Sequence, residues 1–294
     1  MGAVHQILPN FSYGDAIGHD TLHLRGLLRK LGYESDIFAG IIHPYLVDEA
    51  RNYKRYRETA SPDNLLIYHF SVGSEVSAFT RKLPDRLVIQ FHNITPYHWF
   101  AGINPHLWEL SVQGEDELRM LAGDATAAWG DSAFNCEIMH GLGYEHTEVL
   151  PIIADLDRFD TPPNKLVTAM HGGNGGPVFL FVGRITPNKR HEDIIRAFAY
   201  YQRFIDLRAR LFLVGEYRCC SKYYHMLQDL IRRLRVSNIT FTGMVDFDEL
   251  VAYYRLADIF LCMSEHEGFC VPLLEAFHTG VPVVAYAAAA VPET

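Results

Sequence analysis

The chain has 294 residues, 49% hydrophobic, 21% charged and 13% aromatic, a globular composition with room for about two domains at roughly 150 residues each. A net charge of −9 argues against a general nucleic-acid binder. The longest apolar run, Val281–Val291, is 11 residues, short of the roughly 20 that a membrane span needs, and no basic N-terminal region precedes an apolar stretch as a secretion signal would.

Short β-branched runs alternate with amphipathic stretches. Strands are expected at Val4–Leu8, Ser35–Ala39, Leu65–His69, Leu87–Phe91, Ala125–Trp129 and Glu148–Ile152. Helices are expected near 19–31, 73–82, 107–122 and 132–141. In the first of these, Leu22, Leu24, Leu27, Leu28 and Leu31 form an apolar stripe, and Gly32 supplies the stop. The rhythm breaks at 155–177, where Pro162-Pro163 and the glycine-rich stretch His171–Pro177 read as a linker. Beyond it the pattern restarts, with strands at Val178–Val182, Leu211–Val214, Ile239–Thr242, Ile259–Cys262 and Val283–Tyr286 and helices near 191–204, 222–235, 247–257 and 271–279. The expectation is an α/β chain of two doubly wound, Rossmann-like domains, 1–154 and 178–294, with ligands at the carboxyl ends of the strands, in a cleft between them.

Five cysteines, at 136, 219, 220, 262 and 270, form no C-x-x-C pair, which argues against a disulfide framework or a zinc knuckle and for a reducing, cytoplasmic setting. The strand Val178–Val182 runs into Gly183, after which a loop carries Arg184 and Lys189. A glycine that admits a ligand to the backbone, followed by a guanidinium and an ammonium, suits a pyrophosphate, although a solvated basic turn has the same residues. After Ile259–Cys262 comes Ser264-Glu265-His266-Glu267-Gly268-Phe269-Cys270-Val271-Pro272, with Glu275 eight residues beyond Glu267. The N–H groups of Phe269, Cys270 and Val271 open a helix and can meet sugar hydroxyls or phosphate. The two carboxylates can accept hydrogen bonds from the diols of a hexose and a ribose, or merely cap the helix.

Phe181–Arg190, Glu267–Glu275, Gly280–Val284 and the link Leu150-Pro151 to Asp155–Phe159 together resemble the retaining glycosyltransferases of the GT-B fold, family 4. The resemblance covers the whole chain. It implies transfer of a hexose from a nucleoside diphosphate sugar to a glycan, lipid-linked or small-molecule hydroxyl acceptor, needing neither cofactor nor metal. Arg184 and Lys189 would hold the diphosphate, Glu267 the sugar and Glu275 the ribose, with Gly183, Gly268, Phe269, Cys270 and Val271 lining the donor. Cys270 departs from the family, which most often has glycine there. His92, just past the strand Leu87–Phe91, matches the family's active-site histidine, which contacts the donor sugar. The loop bearing Gly14, Asp15 and Gly18 matches its glycine-bearing donor loop, where Asp15 either binds an acceptor hydroxyl or caps the helix.

Two D-x-D stretches, Asp155–Asp157 and Asp246–Asp248, lack the strand-end context of a metal-nucleotide site, and Asp246 suits a helix cap. The basic segment 50–57 reads as a solvated helix face, with peripheral contact to the inner face of a membrane as the alternative. A nucleotide-sugar epimerase, a sugar phosphorylase and a non-catalytic sugar-nucleotide-binding protein remain rival readings on the same fold. The family pattern continues with a further strand and helices after Thr294, so the second domain is expected to be incomplete.

Overall fold

A computed structural model describes residues 2–173 and 175–294; Met1 and Asn174, the latter inside the glycine-rich stretch 171–177, lie outside the described residues. The chain packs as two compact units, one of residues up to 98, 106–155 and Glu293, the other of 99–105, 156–292 and Thr294.

The first unit carries β1 (Val4–Phe11), α1 (Ala16–Lys30), β2 (Ile37–Ile42), β3 (Arg51–Asn52), β4 (Leu65–Phe70), α2 (Glu75–Thr80), β5 (Arg86–Phe91), α3 (Pro105–Leu121), β6 (Ala125–Gly130), α4 (Ala133–Gly141) and β7 (Thr147–Val149). Its seven strands lie in the order β3-β2-β1-β4-β5-β6-β7, every neighbouring pair parallel. Successive side chains of β1 serve different layers. Ile7 joins Phe38, Leu66, Tyr68, Phe91 and Leu121, whereas Leu8 joins Phe11, Ile37, Ala39 and Leu46. A two-residue period buried on both faces is the mark of a doubly wound sheet.

The leucine stripe of α1 is only partly buried: Leu22, Leu24 and Leu28 are half-buried, Leu22 against the core, but the fully buried face is another. Leu27 is 46% exposed and Leu31, already past the helix, 75%, while Gly18, Asp20 and Thr21 are buried. The helix turns this small polar face to the sheet because polar partners wait there: Gln6 donates from Nε2 to the Thr21 carbonyl at 3.1 Å. Gly32 does end the helix, at φ +89°, with the Gly32 and Tyr33 N–H groups returning to the Arg29 and Leu28 carbonyls. The basic segment 50–57 is no simple solvated helix either. Its cations stay outside, but Tyr53 and Tyr56 sit on a 3₁₀ turn and are buried, Tyr56 completely.

The second unit carries α5 (Lys165–His171), β8 (Val178–Val182), α6 (His191–Phe204), β9 (Arg210–Val214), α7 (Ser221–Leu234), β10 (Ile239–Gly243), α8 (Phe247–Leu256), β11 (Ile259–Cys262), α9 (Val271–His278) and β12 (Val283–Ala285). Its five strands run parallel in the order β10-β9-β8-β11-β12 over a core that includes Leu180, Ile194, Phe198, Leu213, Tyr254 and Phe260. The 155–177 stretch is thus more than a linker, since it contains α5, whose N-cap Asn164 accepts from the Leu166 and Val167 N–H groups. Asp246 heads α8 in a capping box, its N–H bonding Glu249 at 2.9 Å. Among the described residues, no helix is long and apolar enough to cross a membrane.

Candidate functional site

In the second unit the residues of interest gather where β8 and β11 end. β8 runs into Gly183, whose φ of +147° suits only glycine. A Cβ at Gly215, after the neighbouring β9, would lie 2.1 Å from the Gly183 carbonyl oxygen, so glycine at 215 lets these two strand ends close up. Ile185 is fully buried and its N–H bonds the Glu216 carbonyl at 2.8 Å, anchoring the loop that presents Arg184. Arg184 is exposed and makes no ion pair among the described residues. Its charge acts on the Cys219–Cys220 pair.

Lys189 has a different setting. The loop after β8 and the loop after β11 are stitched together by Asn188, whose amide donates to the His266 carbonyl at 3.0 Å and whose own carbonyl accepts from the Glu265 N–H at 2.9 Å. Between these bonds the Lys189 ammonium meets both carboxylate oxygens of Glu267 at 2.5 Å. Burial opposes a charge on Lys189, but Glu267, with the Cys270 and Cys262 thiols behind it, outweighs that and raises its pKa. The two motifs therefore converge on one buried ion pair rather than presenting two open cations.

Cys262 and Cys270 were invisible as partners in the sequence, yet their sulfurs and a Glu267 oxygen all lie within 4.8 Å of one another. The hydrogen bond between the thiols draws the Cys262 pKa down and, with burial, pushes that of Cys270 up. Cys270 caps α9 at φ +78°, ψ +56°, left-handed backbone that favours glycine, which gives the departure from the family pattern a physical meaning. Phe269, Cys270 and Val271 lead into the first turn of α9, whose N–H groups lack intrahelical acceptors by geometry. Glu275, one turn along, is half-buried, and its Oε2 accepts from the Tyr254 hydroxyl at 2.6 Å. Burial raises its carboxyl pKa, against the influence of Tyr254 and Arg158.

In the first unit, His92 is the centre of a buried polar chain. Its Nδ1 lies 3.0 Å from Asp131 Oδ2 and its Nε2 2.8 Å from His69 Nδ1, and His69 Nε2 continues to Gln6 Oε1 at 2.8 Å. Gln90 donates to the other Asp131 oxygen at 2.9 Å. The imidazoles stack 5.1 Å apart, 3° from parallel. Burial works against a charge on His92, but Asp131, Asp20 and Asp15 outweigh it and raise its pKa. Burial and the neighbouring His92 push that of His69 well down. The consistent assignment is an imidazolium at His92 donating to Asp131 and to a neutral His69, which donates to Gln6. With both ring nitrogens engaged, His92 has no free N–H for a sugar in this arrangement.

Gln6, His69, Gln90 and Asp131 were missed in the sequence, although a polar residue inside each apolar strand β1, β4 and β5 was a readable signal. Asp15 is the N-cap of α1, its Oδ1 accepting from the Gly18 N–H at 2.6 Å. A Cβ at Gly18 would come within 2.5 Å of the Ser12 carbonyl oxygen, and Gly14 takes φ +80°, so both glycines are fixed by the loop itself. Among the described residues, neither D-x-D stretch gathers a third metal-capable side chain.

Residues 172–294 match the family described as glycosyl transferases group 1. A GDP-mannose-dependent alpha-(1-6)-phosphatidylinositol monomannoside mannosyltransferase of Mycobacterium tuberculosis is 32% identical over 157 residues, 50% of this chain and 40% of the relative. A D-inositol 3-phosphate glycosyltransferase of Nocardia farcinica is 30% identical over 176 residues, 58% of this chain and 39% of the relative. The matched segments thus span well under two thirds of these relatives' own length. Among solved structures, Anabaena Alr3699/HepE in complex with UDP and glucose superposes with a TM-score of 0.71 at 18% identity, over 99% of this chain and 82% of that one. WaaG, a glycosyltransferase involved in lipopolysaccharide biosynthesis, does so at 0.73 and 16%, over 99% and 83%. These likenesses give the fold, GT-B, and it is residues 172–294 that carry the similarity to the glycosyl transferases group 1.

Proposed function

We propose that this chain serves a retaining glycosyltransferase that moves a hexose from a nucleoside diphosphate sugar to a hydroxyl acceptor, with no metal in the chemical step. The observation that carries the reading is the Lys189–Glu267 pair at the β8 and β11 strand ends, beside the first turn of α9, with Arg184 on the same loop as Lys189, exposed and without an ion pair among the described residues. A donor sugar supplies hydroxyls that can replace the ammonium on Glu267, and the diphosphate supplies the anion that the released Lys189 then meets. Arg184 and the positive end of α9 add charge where the leaving group develops its own. The free edge of Glu275 suits ribose hydroxyls. The acceptor oxygen bonds to the anomeric carbon as the bond to the diphosphate breaks, and a leaving phosphate oxygen takes the acceptor's proton.

His92 is assigned a positioning role, since its N–H groups are spent on Asp131 and His69. The Gly14–Gly18 loop is assigned to the donor through its backbone, with Asp15 holding its shape.

The relatives' names make GDP-mannose the first donor to try and UDP-glucose the second. A bound donor raises the melting temperature by mass action. Turnover should release the nucleoside diphosphate and a glycoside of retained anomeric configuration. Arg184→Ala should lower kcat/KM by about 100-fold without changing the melt. Unchanged transfer in that variant would remove Arg184 from the mechanism, and an isomerised free sugar or a sugar phosphate as product would overturn the transfer reading.

A further inference from the structure

Two thiols and a carboxylate, three side chains able to ligate a metal, meet at the Lys189–Glu267 pair. Cys262 is 1% exposed, Cys270 9% and Glu267 7%, and their Sγ, Sγ and carboxylate oxygen lie within 4.8 Å of one another. None of these positions is demanded by packing alone. Apolar residues of similar size would fill 262 and 270, and glycine would suit the backbone at 270 better. What thiols at both positions add is two soft donors aimed at the carboxylate on which the donor-binding reading depends.

We propose that Cys262, Cys270 and Glu267 form a binding site for a thiophilic divalent cation, zinc in particular, and that its occupation competes with the sugar donor. Zinc–sulfur bonds of about 2.3 Å and zinc–oxygen bonds of about 2.1 Å bring ligand atoms to roughly 3.4–3.8 Å from one another, a modest contraction from the observed cluster. Binding releases the two thiol protons to water and leaves two thiolates and one carboxylate on the ion. That sums to one negative charge, and the Lys189 ammonium balances it. Few buried sites reach neutrality so simply, and an unbalanced buried charge is costly. Ser264 Oγ, 3.4 Å from Cys262 Sγ, stands beside the cluster, and with three protein ligands a fourth position remains for it or for water. The cation is inhibitory in this scheme, not catalytic, because it ties down the carboxylate that would hold the transferred sugar. That second half rests on the donor reading above; the metal site itself does not.

The test separates the two. Cobalt(II), a spectroscopic stand-in for zinc, is titrated into the full, fully reduced chain, where one equivalent should produce a thiolate-to-cobalt charge-transfer band that zinc abolishes. Cys270→Gly, which suits the backbone, and Cys262→Ser should each weaken zinc binding at least about tenfold against a chromophoric zinc indicator. A Cys219→Ser/Cys220→Ser double variant should keep the band, since those thiols lie outside the cluster. Absence of the band, or its survival in Cys270→Gly, would overturn the site. In the second arm, zinc should shrink the thermal shift given by GDP-mannose or UDP-glucose in the unmodified chain but not in Cys270→Gly. A donor shift indifferent to bound zinc would overturn the competition alone. If neither sugar nucleotide gave a shift while the cobalt band formed, the donor reading would fail and the metal site would stand.

Discussion

In the first unit the buried charge of His92 is one link in a chain of side chains bonded each to the next, from Gln6 through His69 to Asp131 and Gln90, whose Oε1 alone in that chain is buried without a partner among the described residues. In the second unit Lys189 and Glu267 have chiefly each other, set against two thiols and a left-handed backbone at Cys270. A chain with its imidazoles and carboxylate bonded on every side fixes protons and geometry, which suits a scaffold. A pair whose members exhaust one another is stable only until a ligand offers each a better partner, which suits a site that must exchange contacts.

The sharpest way to break this contrast is to remove one member of the pair. Lys189→Ala leaves a carboxylate buried without its cation and should cost about 3–5 kcal/mol, read as lost amide protection in β8 and β11 by hydrogen exchange. The double variant Lys189→Met/Glu267→Leu should recover most of that, because apolar groups of similar volume need no partner. Equal losses in the single and double variants would mean that packing, not charge, holds the two loops.

Asp131→Asn tests the other side. Without the carboxylate the His92 pKa should fall, followed by its imidazole NMR signals, and the unit should lose about 1.5–3 kcal/mol at acid pH. The sign follows from the raised pKa: its contribution is complete below the unfolded value of 6.5 and is lost as pH climbs through the folded one. The gap between wild type and variant should therefore be widest in acid and close in alkali.

The second unit should show the opposite slope through His191. That imidazole is fully buried, and burial plus the nearby Lys189 charge push its pKa from 6.5 down to about 3. A depressed histidine stabilises when neutral, so its contribution is lost as pH falls below 6.5. His191→Phe fills the space between Phe181 and Tyr223 without titrating. It should gain on wild type by up to about 1.4 kcal/mol per pH unit of acidification. Parallel pH profiles for the two would sink the assignment.

The sequence showed the sheet rhythm well because apolar runs and turn residues are local, and nearly every strand was found to within a few residues. It hid α5 because prolines at 162–163 and glycines after His171 bracket seven helical residues and mask the Asn164 cap. It placed the buried face of α1 only in part: Leu22 does pack on the core, but the fully buried positions include Asp20 and Thr21, where the sheet offers polar partners that a hydropathy pattern does not weigh. At the site, residue types were legible but their pairing was not. Lys189 and Glu267 are 78 positions apart, and only the folded loops show that the cation faces the carboxylate rather than open solvent.

The smallest expected effect concerns Cys270, and it isolates backbone from side chain. Left-handed φ costs a non-glycine residue on the order of 1 kcal/mol, which glycine escapes, while glycine also enlarges the entropy of the unfolded chain by up to a similar amount. Cys270→Gly alone should thus lie within about 1 kcal/mol of wild type, too close to interpret unaided. Cys270→Ala removes the same thiol and keeps the strain, so the glycine variant should be the more stable of the two wherever relief of strain exceeds the unfolded-state penalty. Measured by protection of the β11 amides, glycine above alanine would mean that the site holds a strained residue for the sake of its sulfur. Alanine equal to or above glycine would make 270 an ordinary helix cap, and strain would drop out of what sets the Lys189–Glu267 site apart.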